Sequence, residues 1–354
     1  AALAGTGGLV LDDLAIADGG WLDLAAAGVL VAALGKSAQL PFSAWISGAM
    51  SGPSPVSALL HSATMVAAGG YLLLRTQPLL AATGWAATAA AWVGALTALV
   101  LGAVAVAQRD LKQLLAASTA AQIGFVVLAA GIGATAGGTG QLVAHAAVKA
   151  GLFVAAGSWL TALGTKQLPG LRGAARGYPG IGAAATVAAL ALAGIPPLSL
   201  WATKEGILAE ADSRPLYLVG LAAAVFSAAY AAKIIAVVLA RPTGGEPLDD
   251  EEPGARRVPV PATATAVVFA IAAAGLGALA VPAVAGALED VLGVEAQPVD
   301  PGGLLLGGVL AVTAFVVSVV AVRARPGVVR ALEGGRLGTW VGLRRLLSPA
   351  PALA

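Results

Sequence analysis

Cysteine is absent from this 354-residue chain. That excludes disulfides, thiolate metal sites and cysteine-held iron–sulfur clusters within it. Histidine is nearly as scarce: His61 and His145 are the only two, too few and too far apart in sequence to suggest a metal centre. Charge is scarce as well. Lys, Arg, Asp and Glu make up 11% of the residues, against roughly 25% in soluble domains. The net charge of +2 is too small to suggest a nucleic-acid partner. The opening Ala-Ala-Leu-Ala-Gly has neither methionine nor a basic n-region, so no signal peptide is read and a fragment or a processed end is expected. There is no glycine-rich nucleotide loop in a strand–helix setting, no zinc spacing and no nucleophile–base pair. No redox centre and no cofactor is expected in this chain.

What the chain has in excess is apolar sequence, 58% of it hydrophobic, with a mean hydropathy of +0.89. One soluble core cannot absorb that many long apolar runs, so the bilayer is the expected solvent. About nine membrane-length segments are read, near 23–42, 55–74, 84–107, 112–132, 140–163, 179–195, 215–240, 259–284 and 303–322. The stretch 133–139 reads as an uncharged linker. Two segments carry a proline break, at Leu40-Pro41 and at Ile195-Pro196-Pro197. Proline lacks an amide donor and clashes with the preceding turn, so a helix breaks or kinks there. After the second break, 198–208 is too short to span alone and reads as half of a broken helix.

Loop charges test this count. With nine spans and the N-terminus outside, the inner loops hold Arg109 and Lys112, then Lys166, Arg172 and Arg176, then Arg241, Arg256 and Arg257. The tail after 323 adds Arg323, Arg325, Arg330, Arg336, Arg344 and Arg345. The outer loops hold Arg75 and Arg214 alone. Lys and Arg gather on the cytoplasmic side, so the alternation gives N-terminus out, C-terminus in. A missed or extra span would scramble it. The stretch 327–347 mixes apolar residues with arginine and reads equally as a surface-lying helix or as a plain basic anchor.

A few polar residues sit inside these apolar segments. Lys36 directly precedes the first break and Lys204 follows the second, with Glu205 beside it. A charge in hydrocarbon costs about 2.5–3.5 kcal/mol on insertion scales. Irregular backbone at that depth is tolerated only within protein or beside a water-filled cavity. A lysine at a helix end can also snorkel to the interface. Two interrupted segments that each carry a lysine are the pattern of an inverted-repeat transporter. His61 lies within the second segment, where histidine can pass protons or simply bond a carbonyl between packed helices. His145 and Lys149 are one turn apart on one helix face, and two such groups repel when both are charged. Asp110 and Lys112 read as the inner mouth of the fourth segment. Ser118, Thr119 and Gln122 read equally as water-path residues or as helix-to-backbone bonds. Trp21, Trp45, Trp85 and Trp201 read as interfacial or packing aromatics.

The run Gly35-Lys36-Ser37-Ala38-Gln39-Leu40-Pro41-Phe42, followed by Met50-Ser51-Gly52-Pro53-Ser54-Pro55-Val56-Ser57-Ala58-Leu59-Leu60-His61-Ser62, resembles the proton-conducting antiporter-like subunits of respiratory complex I. It is most similar to the large distal subunit, called subunit L or chain 5. The corresponding subunits of Mrp-type cation/proton antiporters and of membrane-bound hydrogenases share the signature. Gln108-Arg109-Asp110-Leu111-Lys112, His145-Ala146-Ala147-Val148-Lys149 and Thr203-Lys204-Glu205-Gly206 extend the resemblance across about 23–240.

The resemblance implies an all-α, polytopic membrane protein of about nine transmembrane helices, two of them broken, from an inverted-repeat antiporter-like fold. It implies an outer N-terminal segment (1–22), the end of a first repeat (23–83), a second repeat (84–240), two further helices (241–322) and a basic inner tail that could start a lateral helix (323–354). Lys36 matches the broken-helix lysine of the first half-channel and His61 the link between halves. Lys149 matches the central lysine of the second half, and Lys204 its broken-helix lysine. With His145 and Glu205 these form the expected proton pathway. The family carries six helices before residue 1, including a glutamate that pairs with the first lysine. Asp23, at the outer edge, does not replace it, so the chain is expected to be a fragment. The implied activity is proton translocation within NADH:quinone oxidoreductase, in a bacterial cell membrane, with a redox arm and further antiporter-like subunits as partners. A Mrp-type sodium/proton antiporter or membrane-bound hydrogenase subunit is the alternative.

Overall fold

The computed structural model describes residues 19–62, 64–241, 254–297, 299, 301–324, 327 and 333. Residues 1–18 of the expected N-terminal segment and most of the expected basic tail lie outside this range. Among the described residues every extended element is a helix, as a bilayer demands, because only helices and closed barrels satisfy all backbone groups there. They are α1 (Gly20–Lys36), α2 (Ala44–Gly48), α3 (Ser54–Ser62), α4 (Met65–Arg75), α5 (Gln77–Thr83), α6 (Trp85–Ala107), α7 (Leu111–Ile132) and α8 (Thr135–Leu163). There follow α9 (Ala174–Gly177), α10 (Pro179–Ala193), α11 (Ser199–Leu208), α12 (Arg214–Val238), α13 (Val260–Gly275), α14 (Pro282–Leu292) and α15 (Pro301–Ala324).

Among the described residues, seven stretches are long and apolar enough to cross a membrane: Ser54–Arg75, Trp85–Ala107, Leu111–Ile132, Thr135–Leu163, Arg214–Val238, Val260–Ala280 and Pro301–Ala324. The two expected spans that fall short are α1, with 17 residues, and α10, with 15. They are the two broken helices. Each resumes beyond its proline, α1 as α2 and α10 as α11. The nine expected segments are therefore all present, two of them halved at proline.

Three boundaries differ from the sequence reading. The stretch 133–139 is mostly helix, because Gly133 alone, at φ 87°, ends α7 and α8 restarts at Thr135. The segment 259–284 ends in a 3₁₀ turn at Leu276–Ala280, and Pro282 opens the separate helix α14. The segment 55–74 departs from helix at Thr64, whose φ/ψ is −112°/−97°, before α4 starts at Met65; Ala63 lies outside the described residues.

The loops read as inner meet at one end of the bundle. Leu111 N–H donates to Lys166 O (2.9 Å), Lys112 Nζ to Gly52 O (2.7 Å), Arg172 Nε to Arg241 O (3.4 Å) and Ala255 N–H to Thr161 O (2.9 Å). At the other end Trp85 Nε1 donates to Asp23 Oδ1 (2.7 Å) and Gln297 N–H to Glu210 Oε1 (2.7 Å). A helix is one span long, so this sorting of loops agrees with the span count.

The core is built around α7. Asp110 caps its start, its Oδ1 accepting from Gln113 N–H (3.0 Å). Every residue from Leu114 to Ala130 is buried. Helix α6 packs on α7 closely enough that a Cβ at Gly94 would meet the backbone of Leu128 and Gly124. Such small-residue contact is how helices associate without a hydrophobic driving force between them. At the periphery α15 buries only Gly307, Gly308 and Ala311.

Candidate functional site

The polar residues inside this bundle converge on the seam between α7 and α8. On α8, Gln141, His145, Lys149 and Phe153 recur every four residues, so they form one slowly turning stripe about 18 Å long. On α7, Leu115, Ser118, Gln122 and Phe125 fall at i, i+3, i+7 and i+10, which is one face about 15 Å long. Lys149 is the middle residue of α8, and both it and His145 are fully buried.

Lys149 Nζ donates to Leu115 O (3.0 Å) and, in a short contact, to Ser118 Oγ. One turn earlier, His145 Nε2 lies 3.2 Å from His61 O. One turn later, Phe153 stacks on the His61 ring at 5.0 Å between centroids. His61 therefore lies alongside the stripe. Thr64 Oγ1 bonds back to Leu59 O (2.8 Å) across the break. Neither ring nitrogen of His61, nor Nδ1 of His145, meets a protein partner among the described residues.

Toward the other end the row continues through uncharged groups. Gln122 Nε2 donates to Ser227 Oγ (3.0 Å) and Tyr230 OH (2.5 Å) on α12. Gln141 Nε2 donates to Gln122 Oε1 (2.9 Å), and Thr203 Oγ1 on α11 donates to Gln141 Oε1 (2.5 Å). All five side chains are buried. The sequence leaves Gln122 open between water path and backbone bonding; in the fold it bonds side chains. Ser118 and Thr119 both bond Leu115 O (3.1 and 2.8 Å), but Ser118 also receives Lys149. Gln141, Thr203, Ser227 and Tyr230 are polar-path residues that the sequence reading does not single out.

Lys204 is buried, with Nζ 5.5 Å from the Phe125 ring centroid and 3.4 Å from Leu192 O. It thus touches the same α7 face as Lys149, and it binds a carbonyl near the end of α10 that the proline break leaves available. Glu205, buried beside it, points elsewhere: its carboxylate lies against Gly307 of α15, where a Cβ would overlap it. Trp201 Nε1 donates to Leu304 O (3.0 Å), so α15 closes over this break.

Lys36 is not joined to the row. It ends α1 on an exposed face. The loop after it is well fixed. Ser37 Oγ donates to Val66 O (2.8 Å), Gln39 Nε2 to Ala120 O (3.1 Å), Leu40 N–H to Thr97 Oγ1 (3.1 Å) and Trp45 Nε1 to Gly35 O (3.0 Å). These bonds satisfy the irregular backbone. Lys233, another buried lysine outside the sequence reading, donates to Val106 O (2.9 Å) and Gln108 O (2.7 Å) and pairs with Glu333 (2.7 Å), so it caps the end of α6.

Among the described residues no group of three acidic or histidine side chains could hold a metal ion. A groove of about 650 Å³ between α3, α8 and α13 includes Phe153 and Ser158 in its lining but none of His61, His145 or Lys149.

The family model described as NADH:quinone oxidoreductase/Mrp antiporter, transmembrane, matches residues 6–229. NADH-quinone oxidoreductase subunit L of Pseudomonas aeruginosa is 34% identical over 332 residues, 90% of this chain and 52% of that protein. NADH-ubiquinone oxidoreductase chain 5 of Metridium senile is 38% identical over 213 residues, 58% of this chain and 35% of that protein. The chain spans about half the length, or less, of these relatives. Among solved structures, the Mrp complex from a Dietzia species superposes with a TM-score of 0.78 at 32% identity, covering 97% of this chain and 39% of that one. Respiratory complex I from Thermus thermophilus superposes with a TM-score of 0.67 at 29% identity, covering 81% of this chain and 63% of that one.

Proposed function

This chain belongs to the NADH:quinone oxidoreductase/Mrp antiporter transmembrane family, and from that premise we propose that it acts as part of a proton-translocating membrane subunit of an NADH:quinone oxidoreductase. The observation that carries the reading is the buried row from His61 through His145 and Lys149 to Gln122, Gln141 and Thr203, with Lys204 on the same α7 face. A lysine in the middle of a 29-residue helix is costly in a purely structural role. Buried ring nitrogens without protein partners take ordered water as theirs, which makes the His61–His145 end of the row suited to proton exchange. Each basic group holds a proton when a neighbouring charge favours it and releases it when that charge moves. Glu205 supplies the opposite charge next to Lys204, and Lys36 supplies the cation of the first broken helix.

In this reading electron carriers belong to partner subunits, and this chain contributes proton transfer alone. The N-terminus faces outward and the C-terminus the cytoplasm, by the loop arginines. Residues 23–83 close one repeat and 84–240 form the next. Lys204→Ala in the full-length protein sharply lowers NADH-driven proton uptake into inverted membrane vesicles; undiminished uptake would sink the role given to Lys204. A second reading, membership of a Mrp-type sodium/proton antiporter, is favoured by the Dietzia superposition, which covers more of the chain than the Thermus one. It requires sodium-dependent proton exchange without NADH, measured in the same vesicles.

A further inference from the structure

The groove between α3, α8 and α13 takes no part in the polar row. Its volume of about 650 Å³ falls within the roughly 300–1,000 Å³ of ligand sites. Pro53 and Pro55, at the start of α3, form one wall. Pro259 and Ala262, at the start of α13, form the other, and α8 from Phe153 to Thr161 is the floor. That floor runs about 12 Å along the helix axis, most of the roughly 15 Å that one leaflet's hydrocarbon occupies. Small residues leave the space unfilled. At Gly157 a Cβ would lie 2.6 Å from Ser54 Cβ, so α3 and α8 touch at the floor and part above it. The groove opens sideways toward apolar surface: Val56 and Leu59 on α3 and Val260 on α13 are exposed.

One end of the groove carries two fixed cations. It lies at the end of the bundle with the arginine-rich loops, where Ala255 and Thr161 line it. Ala255 N–H donates to Thr161 O (2.9 Å) and Arg256 N–H to Ala162 O (2.9 Å), which fastens this segment to the last turn of α8. Gly254 permits the approach, since a Cβ there would lie 2.5 Å from Ala162 O. Arg256, held at φ 55°, and Arg257 follow Ala255 directly and are exposed. Among the described residues no hydrogen bond or ion pair engages either guanidinium. Lipid phosphates lie just beyond the hydrocarbon, at this level, and basic groups between helices there bind lipid headgroups. Arginine binds phosphate through its planar fork. Four acids precede the pair at 249–252, so the segment has no net positive charge. Recognition therefore falls to the phosphate itself and not to the surface potential of an anionic leaflet.

We propose that the groove binds one phospholipid, with an acyl chain lying along α8 between α3 and α13 and the phosphate held by Arg256 and Arg257. The chain covers apolar wall that small side chains leave open. Its far end meets Phe153, whose ring stacks on His61, so a single ring separates the lipid from the polar row. The site is the same whether the chain serves an NADH:quinone oxidoreductase or a Mrp-type antiporter.

The test uses the full-length protein in its assembled complex, placed in lipid nanodiscs doped with a phosphatidylethanolamine that carries a diazirine at the end of one acyl chain. After illumination, labelled peptides are mapped by mass spectrometry. Label concentrates on peptides covering 153–161 and 255–265, severalfold above the exposed valine face of α15, which samples bulk lipid. Ala262→Trp fills the groove from α13 and removes this label, while Val260→Trp, exposed and outside the lining, leaves it. Arg256→Gln with Arg257→Gln lowers it severalfold. A diacylglycerol with the same diazirine chain and no phosphate labels these peptides weakly in the unaltered protein. Labelling no higher than that of α15, as when other protein covers the groove, overturns the site, and so does labelling that Ala262→Trp leaves intact. Equal labelling by the diacylglycerol, or indifference to the arginine pair, overturns the phosphate recognition. The unaltered protein and the surface arginine pair decide the matter even where Ala262→Trp fails to assemble.

Discussion

Replacing Lys149 by methionine separates the structural role of this lysine from its chemical one. The side chains are similar in length, so the change removes a charge without opening a cavity. The lysine makes two hydrogen bonds, to Leu115 O (3.0 Å) and Ser118 Oγ. Bonds to a charged group contribute about 1.5–3 kcal/mol each, so their loss costs roughly 3–6 kcal/mol. Against that stands the cost of holding a cation at the middle of a span, about 2.5–3.5 kcal/mol, which methionine does not incur. Neither acceptor is orphaned, because Ser118 Oγ already donates to Leu115 O (3.1 Å) and Thr119 Oγ1 does so as well (2.8 Å). The two sides offset to within a few kcal/mol, so the variant assembles at close to the normal level. Under the proposed function, however, the row loses its central proton carrier. Native-gel electrophoresis reads assembly, NADH oxidation reads electron transfer, and dye quenching in inverted vesicles reads proton uptake. Normal assembly with uptake largely lost is the expected result. Normal uptake would refute the carrier role, and loss of the assembled complex would refute the energetic balance.

Two other changes probe the scaffold and the uncharged part of the row. Gly94→Ala places a Cβ against the backbone of Leu128 and Gly124, where neither helix can yield locally. Such overpacking costs about 1–3 kcal/mol and lowers the thermal midpoint of the purified complex in detergent; an unchanged midpoint contradicts the close α6–α7 approach. Gln141→Leu removes the amide that bridges Gln122 Oε1 and Thr203 Oγ1. Thr203 Oγ1 keeps Ser199 O as acceptor (3.3 Å), but stranding Gln122 Oε1 costs about 1–3 kcal/mol, and proton uptake slows even where the complex assembles. Wild-type midpoint and uptake together would remove Gln141 from the row.

The span count and the two breaks were legible because each has a local cause. Apolar runs of membrane length have no alternative to helix in a bilayer, and Pro41 and Pro196 forbid continuation whatever surrounds them. The departure from helix at Thr64 was not legible, since 61–65 contains neither proline nor glycine. Its visible partners are tertiary and local at once: His145 takes the His61 carbonyl, and Thr64 turns its hydroxyl back to Leu59 O. The lysines and histidines were conspicuous because charge is rare here. Gln141, Thr203, Ser227 and Tyr230 were not, because an uncharged polar side chain in an apolar helix reads the same whether it bonds its own backbone or a neighbouring helix. Ser227 does both, donating to Ala223 O (3.2 Å) and accepting from Gln122. Small-residue spacing, too common in this composition to interpret, acquires meaning where backbones meet, as where Gly94 faces Gly124 and Gly131 faces Ala91.

Lys36 and Lys204 show how far a repeated motif carries. Both adjoin a proline-broken helix, and the sequence treats them alike. Lys204 is buried, because α7 presents Phe125 to its ammonium and α10 a carbonyl, while α15 lies across the break through Trp201 and Gly307. Lys36 ends its helix on an exposed face that it shares with Ala32, one turn earlier, while the backbone beyond it is pinned by Ser37, Gln39 and Thr97. The motif therefore specifies the break and the hydrogen bonds that hold it, whereas the environment of the lysine is set by whichever helices pack outside. Because a cation facing hydrocarbon costs about 2.5–3.5 kcal/mol, the face of α1 that carries Lys36 is a face for protein or water and not for lipid. The same reasoning explains why Val-rich α15 can leave most of its surface open: it has no charge to shield from the bilayer until Arg323 in its last turn.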